Sequence, residues 1–211
     1  MPLGGSITQG VGSSTGHGYR AELVKLLTDN NYDVEMMGTR STGTGGTENT
    51  GNENDDCRHE GWRGFRIDQI DKKARRCVEQ AQPDVFTVNA GSNDCLQDYE
   101  LDRVGERMGR LVEYLWTASP GSTVVLSTLV VSRDPKVDTR IVSVNRAFRE
   151  LVEKKYADQK RIVLADMYTP EGPSIDDLGD DGTHPQDAGY TKMAGIWCRA
   201  IDEAARKGFL R

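Results

Sequence analysis

The chain has 211 residues, 36% of them hydrophobic, and a formal net charge of −6. This length accommodates roughly one or two ordinary domains, and because no repeat or linker divides the sequence, we predict a single domain over residues 1–211. The spread of acidic residues disfavours nucleic-acid binding, which needs a concentrated basic face. No apolar run approaches the ~20 residues of a membrane span, and Met1 leads straight into Pro2 without a signal peptide.

Short apolar runs rich in β-branched residues predict strands that are covered on both faces. A truncated first strand ends before Ser6, and the other runs are Val34–Met37, Val85–Val88, Val124–Leu126 and Ile162–Ala165. Apolar residues at spacings of three and four predict helices between them. These helices run through Tyr19–Leu27, Ile67–Cys77, Leu101–Leu115, Ile141–Val152 and Tyr190–Ala205. The alternation indicates βαβ units, a parallel sheet and hence an α/β fold.

Residues 38–56 interrupt this alternation with a segment that contains five glycines and no aliphatic side chain. The segment lacks the G-x-x-x-x-G-K-[ST] spacing of a phosphate-binding loop, and no helical pattern follows it directly. We therefore predict a solvated, mobile loop here rather than a phosphate site.

Polar side chains follow several predicted strands at the point where each strand ends. Ser6 follows the first strand, Asn89–Asp94 follow the strand Val85–Val88, and Asp180–Pro185 precede the last helix. Ligands of open parallel sheets bind beyond the carboxyl ends of the strands, so we expect these segments to converge on one edge. Together they supply a hydroxyl, an amide, an imidazole and a carboxylate.

These four groups are the ones that acyl transfer requires. A serine hydroxyl becomes a good nucleophile when a neighbouring imidazole accepts its proton, and a carboxylate fixes the tautomer of that imidazole. Preorganised hydrogen-bond donors then stabilise the oxyanion that forms. Asp181 lies three residues before His184, so a single turn can present both side chains to one pocket.

Four short blocks carry a resemblance to a known family. GGSIT, EGWRGF, GSND and DGTHP, in this order, resemble blocks I, II, III and V of the SGNH hydrolases, also called the GDSL esterase/lipase superfamily. The resemblance covers nearly the whole chain, and HEGWRGFRI is similar to a segment of carbohydrate esterase family three, which includes acetyl xylan esterases. It implies a flavodoxin-like, three-layer α/β/α sandwich with a central, mostly parallel five-stranded sheet.

The resemblance also implies roles by position. Ser6 matches the nucleophile, His184 the base and Asp181 its orienting acid. The backbone N–H groups of Ser6 and Gly64 and the side-chain amide of Asn93 match the oxyanion donors. Ser6 would then attack an ester carbonyl to form an acyl-enzyme that water hydrolyses, and this chemistry requires no cofactor and no metal.

The substrate implied by the resemblance is a short-chain ester, such as acetyl, on a carbohydrate or another small molecule. Trp62 and Asp94 are the predicted substrate-binding residues, with the aromatic rings of Phe65 and Tyr99 flanking the same site. A lipase or lysophospholipase is the alternative within the superfamily. The alternative from another class is a catalytically weak protein that keeps the cleft to bind carbohydrate.

Two positions depart from the pattern of the superfamily. Most members have Asp directly before the nucleophile, where this chain has Gly5. Such an Asp hydrogen-bonds neighbouring loops, so its loss predicts a looser nucleophile turn with the triad retained, and it motivates the binding-protein alternative. Ser92 replaces the Thr of many members, which is a mild change.

The chain has four cysteines, which are Cys57, Cys77, Cys95 and Cys198. Buried free thiols and one or two disulfides are both compatible with this number. A carbohydrate substrate implies secretion, and secretion favours the disulfides. The acidic cluster between Asp176 and Asp181 lacks EF-hand spacing, so we predict a solvated loop there rather than a Ca²⁺ site.

Overall fold

A computed structural model describes residues 1–41, 57–157 and 160–210. Its strands are β1 (Pro2–Gly4), β2 (Glu60–Gly61), β3 (Val85–Asn89), β4 (Thr123–Ser127) and β5 (Ile162–Ala165). They form one five-stranded sheet in the order β2-β1-β3-β4-β5. All neighbouring strands are parallel, which confirms the predicted α/β class.

Helices connect the strands and cover the sheet. They are α1 (Ser6–Gln9), α2 (Arg20–Asp29), α3 (Ile67–Ala81), α4 (Ser92–Gln97), α5 (Val104–Ala118), α6 (Pro135–Glu150) and α7 (Asp187–Arg206). All of the predicted helices are present. The apolar pattern places the start of α6 too late, because Asp134 caps the helix by accepting the Lys136 N–H and Pro135 occupies the first position. None of the described helices is long and apolar enough to cross a membrane.

Two hydrophobic cores lie on opposite faces of the sheet, because successive side chains of a strand point to opposite faces. In β4, Val124 and Leu126 belong to the core formed with α3, α5 and α6. Val125, between them, belongs to the core formed with α2 and α7. The sheet is thus covered on both sides, which confirms the three-layer α/β/α arrangement.

One predicted strand is wrong. Residues 34–37 contribute only an isolated parallel bridge between Met36 and Cys57. Met36 is the only buried residue of the four, because the segment runs along the edge of the sheet and its other side chains are partly or fully exposed. The remaining strand of the sheet is Glu60–Gly61, which pairs with β1 and contains no apolar run from which to predict it.

All four cysteines are buried free thiols, so the disulfide interpretation is wrong and the cysteines give no support to secretion. Cys95 lies in the core with α3, α5 and α6, whereas Cys198 lies in the core on the other face. The sheet therefore separates these two thiols. Burial raises the pKa of Cys77 and of Cys95 to about 12, which keeps both thiols protonated at neutral pH.

The predicted loop over 38–56 falls largely on residues 42–56, which lie outside the described residues. The chain on either side of this gap forms an antiparallel bridge between Arg40 and His59. The Arg40 N–H donates to the His59 carbonyl at 3.2 Å and the His59 N–H donates back at 2.8 Å. Residues 38–41 therefore lie beside the segment that enters β2.

The carboxyl ends of β1 and β3 lie level at one edge of the sheet, since Gly4 pairs with Asn89. A β-carbon at Gly4 would lie 2.1 Å from the Asn89 carbonyl oxygen, so only glycine fits at this approach. Ser6 follows β1 after one residue, and α4 begins at Ser92, shortly after β3 ends. This edge therefore brings the first residues of α1 and α4 together.

Candidate active site

Ser6 is the first residue of α1, on the turn that leaves β1, and is 8% exposed. The Gly5 N–H donates to the Asn89 carbonyl at 3.3 Å, which holds the start of this turn against β3. After one turn α1 ends at Gly10, whose φ of 92° is in the left-handed region. The first N–H groups of a helix have no partner within it, so the Ser6 N–H is left for an acceptor from outside.

The imidazole of His184 connects Ser6 with Asp181. Its Nε2 lies 2.7 Å from the Ser6 Oγ, and its Nδ1 lies 2.6 Å from the Asp181 Oδ2. Both distances are within hydrogen-bond range. The fold therefore brings the predicted hydroxyl, imidazole and carboxylate into one hydrogen-bonded series.

A second set of hydrogen bonds holds Asp181. Its Oδ1 accepts the backbone N–H groups of Thr183 and His184, each at 2.9 Å. Burial alone would raise the pKa of Asp181, but the hydrogen bonds from His184 and Thr183 outweigh it and lower the pKa to about 2. The carboxylate is therefore ionised at neutral pH, although 53% of its side chain is exposed.

Arg133 fixes the loop that carries Asp181, and no sequence motif predicts it. The Arg133 backbone N–H donates to the Gly182 carbonyl at 2.9 Å. Its guanidinium donates to the carbonyls of Gly179 and Leu178 at 3.1 and 3.2 Å. A guanidinium carries five N–H donors in a fixed fork, which suits it to bind several carbonyls of one loop.

The loop after α1 packs directly against His184. A β-carbon at Gly12, which has a φ of 92°, would lie 3.1 Å from the His184 β-carbon and 2.6 Å from the Pro185 carbonyl oxygen. The Tyr190 hydroxyl donates to the Val11 carbonyl at 2.5 Å. The beginning of the chain and the beginning of α7 are therefore fixed to each other around the imidazole.

Gly64 lies in a tight turn over residues 62–65. The Phe65 N–H donates to the Trp62 carbonyl at 3.2 Å, and Gly64, the third residue of the turn, has a φ of 81°. A positive φ at this position defines a type II turn and favours glycine. The Trp62 N–H donates to the Gly4 carbonyl at 2.8 Å, which anchors the turn to the end of β1.

Asn93 lies in the first turn of α4, with its amide beside the turn that carries Ser6. The Asn93 Nδ2 donates to the Phe65 carbonyl at 3.0 Å, which engages one of the two amide hydrogens. A β-carbon at Gly5 would lie 3.3 Å from this nitrogen, closer than an ordinary contact. Glycine at position 5 therefore leaves the space in which the Asn93 amide lies.

Two glutamines that no motif predicted hold the turn around Gly64. The Gln9 Oε1 accepts the Arg63 N–H at 3.2 Å, and the Gln97 Nε2 donates to the Gly64 carbonyl at 3.2 Å. Gln9 lies three residues after Ser6 on α1, and Gln97 lies four residues after the predicted amide on α4. Residues three or four positions apart in a helix share a face. The spacing of Gln9 from Ser6 and of Gln97 from Asn93 is therefore the sequence signal that could have identified both glutamines.

The side chains of Asp94 and Trp62, the predicted substrate-binding residues, are both engaged by other protein groups. Asp94 is fully buried, and its carboxylate accepts hydrogen bonds from the Arg107 guanidinium at 2.5 Å and the Ile67 N–H at 3.2 Å. Burial raises the pKa of Asp94, against the opposing effect of Arg107. This carboxylate joins α4 to α3 and α5 instead of facing the cleft. The half-buried indole of Trp62 donates its Nε1–H to the Glu60 carboxylate at 3.0 Å.

A small cavity of about 10 Å³ lies beside Ser6. Its lining includes Gly5, Phe65, Asn89, Ala90, Gly91 and Asn93. A space of this size accommodates about one water molecule, or a group as small as a methyl. A larger cavity of about 700 Å³, around Met1 and Val85, lies at the other end of the strands and contains none of the predicted site residues.

Two carboxylates of the acidic cluster before His184 are engaged by protein groups. The Asp177 carboxylate accepts hydrogen bonds from the Lys192 ammonium at 2.6 Å and from the Ser174 hydroxyl at 2.8 Å. Asp181 is held as described above. Within the described ranges, no three His, Cys, Asp or Glu side chains come together as a metal would require.

Comparison with known protein families identifies the class of protein as an acylhydrolase. The chain belongs to the GDSL-like lipase/acylhydrolase family, whose model matches residues 3–192. The chain is 26% identical to a multidomain esterase of Ruminococcus flavefaciens over 224 residues, which cover 96% of this chain and 28% of that protein. The chain thus spans less than a third of the length of that relative.

Carbohydrate esterases of family 3 share the fold almost end to end. One from Clostridium thermocellum superposes with a TM-score of 0.82 at 26% identity, covering 98% of this chain and 96% of the other. One from Talaromyces cellulolyticus gives a TM-score of 0.81 at 22% identity, with 98% and 97% covered. The family expected from the sequence blocks is therefore confirmed.

The low pKa of Asp181 predicts a stability contribution with a defined pH range. Because this pKa lies at about 2 in the folded chain against an ordinary 3.8, the contribution is complete above about pH 4 and is lost as the pH falls through about 2. We expect Asp181→Asn to lower the free energy of unfolding by less than ~1 kcal/mol at neutral pH, since the group is half exposed. The difference from wild type should disappear near pH 2.

Urea unfolding between pH 2 and pH 7 measures this difference. Asp180→Asn is the matched control, because Asp180 has no hydrogen-bond partner among the described residues and its replacement should produce no such pH-dependent step. A loss of stability in Asp181→Asn that is equal at all pH values would contradict the prediction.

Proposed function

We propose that this chain hydrolyses short-chain esters, acetyl esters on carbohydrate above all, with Ser6 as nucleophile, His184 as general base and Asp181 as the orienting acid. The observation that carries the proposal is the hydrogen-bonded series from the Ser6 Oγ through the imidazole to the Asp181 carboxylate, with distances of 2.7 and 2.6 Å. Family membership supports it.

In the proposed reaction, Ser6 attacks the ester carbonyl while the Nε2 of His184 accepts its proton. The ionised Asp181 accepts the Nδ1–H, which keeps the tautomer with Nε2 free and stabilises the imidazolium that forms. The imidazolium then protonates the departing alcohol, leaving an acyl-enzyme. Water, deprotonated by the same imidazole, attacks the acyl group and releases the acid and the free Ser6 hydroxyl.

The oxyanion of each tetrahedral intermediate requires donors that are already in position. We assign this role to the N–H groups of Ser6 and Gly64 and to the Asn93 amide. The arrangement of these groups supports the assignment. Ser6 begins a helix, the Gly64 turn hydrogen-bonds to the strand that leads to Ser6, and the Asn93 amide lies beside Gly5. The Asn93 amide also keeps a second hydrogen beyond the one given to Phe65.

The cavity beside Ser6 supports a small acyl group. Its volume of about 10 Å³ suits the methyl of an acetyl group. The likeness to a family 3 carbohydrate esterase over nearly the whole chain supports carbohydrate as the alcohol component.

A polymeric carbohydrate substrate would place the protein outside the cell, and we propose secretion on that ground.

Replacing the nucleophile tests the proposal. We expect wild type to hydrolyse p-nitrophenyl acetate and Ser6→Ala to lose about 10⁴–10⁶-fold in kcat, as removal of a triad nucleophile does elsewhere. Ser143→Ala changes an exposed serine on α6 and should keep wild-type kcat. The proposal fails if wild type has no activity above background, or if Ser6→Ala retains it.

The acyl-chain preference is measured with p-nitrophenyl acetate, butyrate and octanoate. We expect kcat/KM to fall about tenfold or more from acetate to butyrate, since a misplaced methylene changes this ratio by roughly 10- to 200-fold. Phe65→Ala removes one wall of the cavity. In this variant, the kcat/KM for the butyrate ester should come closer to the kcat/KM for the acetate ester. Activity that rises with chain length would instead assign a lipase.

Gly64→Ala tests the turn that carries the proposed oxyanion donor. A β-carbon at Gly64 would have no atom within 4 Å, so the substitution adds no clash and acts through the positive φ, which alanine disfavours. We expect the central peptide of the turn to rotate and its N–H to turn away, lowering kcat about 10²–10³-fold with KM nearly unchanged.

The matched control is Gly208→Ala, at a glycine that also has a positive φ and no atom within 4 Å of a β-carbon. It imposes the same backbone strain beyond the end of α7 and should leave kcat unchanged. Wild-type kcat in a correctly folded Gly64→Ala protein would show that this N–H does not bind the oxyanion.

A further inference from the structure

A basic surface borders the turn that contains Gly64. Residues 58–76 contain seven arginines and lysines against three acidic residues, although the whole chain has a net charge of −6. The exposed cations of this segment include Arg63, within the turn itself, and Lys73 on α3. The local charge is therefore opposite in sign to the charge of the molecule.

Trp62 gathers two cations at this surface. The Arg40 guanidinium carbon lies 4.6 Å from the centre of the indole, and the Lys73 ammonium lies 4.7 Å from it. Both distances are within the range of a cation–π interaction. Because cations occupy the surroundings of the ring, Trp62 holds charges in place instead of stacking on a sugar. We call Arg40, Trp62, Arg63 and Lys73 the Trp62 patch.

The cations of the Trp62 patch have no carboxylate partner. Among the residues that the structure describes, none of the three forms a salt bridge. The Glu60 carboxylate is fully buried, and its oxygens accept hydrogen bonds from Thr39 and from the Trp62 Nε1–H. Because none of the three cations forms a salt bridge in the described part of the chain, and the Glu60 carboxylate is shielded from solvent, an anion from outside would be attracted to them.

Two other cations of the same segment are neutralised by carboxylates. Arg66 pairs with Asp68 at 3.6 Å, and Arg75 pairs with Asp71 at 3.0 Å. The Trp62 patch is also joined to the proposed nucleophile turn, since the Trp62 N–H donates to the Gly4 carbonyl at 2.8 Å. A substrate attached at Ser6 would therefore pass the unpaired cations.

We propose that the Trp62 patch binds the carboxylates of an acidic glycan, so that the ester substrate is a chain that contains uronic acid residues. This inference rests on the proposed function of the same site. A glycan is favoured over a nucleic acid because the patch holds only three cations on an otherwise acidic protein, whereas a nucleic-acid backbone requires many phosphate contacts.

Binding is tested by calorimetry with unacetylated tetragalacturonate against the neutral xylotetraose. The test variant is Arg63→Gln/Lys73→Gln, which keeps Arg40 and Trp62. We expect wild type to prefer the acidic ligand and the variant to bind it about three- to tenfold more weakly, the effect of losing two exposed ion pairs. Raising the salt concentration from 20 to 300 mM should weaken the binding of tetragalacturonate to wild type by a similar factor.

The matched control, Arg199→Gln/Lys207→Gln, removes the same charge from or just beyond α7, on the other face of the sheet, and should bind like wild type. Equal binding of the neutral ligand, or an affinity that the test variant does not change, would overturn the inference. So would equally tight binding of a thymidine oligonucleotide. Hydrolysis of p-nitrophenyl acetate by wild type tests the proposed function separately, so that either idea can fail without the other.

Discussion

The hydrogen bond between the Ser6 hydroxyl and the His184 ring joins residues 178 positions apart, and the rest of the site depends on it. A parallel sheet makes this contact possible, because the first strand and the loop before the last helix meet at the same edge. The contact is held by neighbouring bonds as well. The Ser14 N–H donates to the Asp187 carboxylate at 2.8 Å, and Gly12 allows the two loops to touch.

Buried charged residues flank the turn that carries Ser6 and fix its surroundings. On one side, the Arg20 guanidinium donates to the Thr8 carbonyl and to the Cys57 carbonyl, tying α1 to the segment that enters β2. On the other, Arg107 pairs with Asp94 directly after the Asn93 amide. Breaking such a buried pair by removing one partner costs about 3–5 kcal/mol, so the geometry around Ser6 is bound to the stability of the fold.

The sequence predicts those parts of the molecule that repeat or that follow a motif. The helices follow from apolar spacing, and the meeting of Ser6 with His184 follows from the strand ends. By contrast, β2 is only two residues long and contains no apolar side chain. It therefore shows no hydrophobic pattern from which a strand could be predicted. Arg133 binds backbone carbonyls. Because every residue has a carbonyl, the sequence does not indicate which residues Arg133 contacts. The role of Asp94 depends on Arg107, which only the packing of α4 against α5 brings near.

Gly5 shows how a departure from the family pattern is accommodated. The usual Asp would hydrogen-bond neighbouring loops through its side chain, whereas here position 5 contributes only its backbone, whose N–H donates to the Asn89 carbonyl. The space beside position 5 is taken by the Asn93 amide, which Phe65 holds at 3.0 Å. Gln9 adds a side-chain bond from α1 to the turn that contains Gly64. The hydrogen-bonded series from Ser6 to Asp181 is therefore present with glycine at position 5.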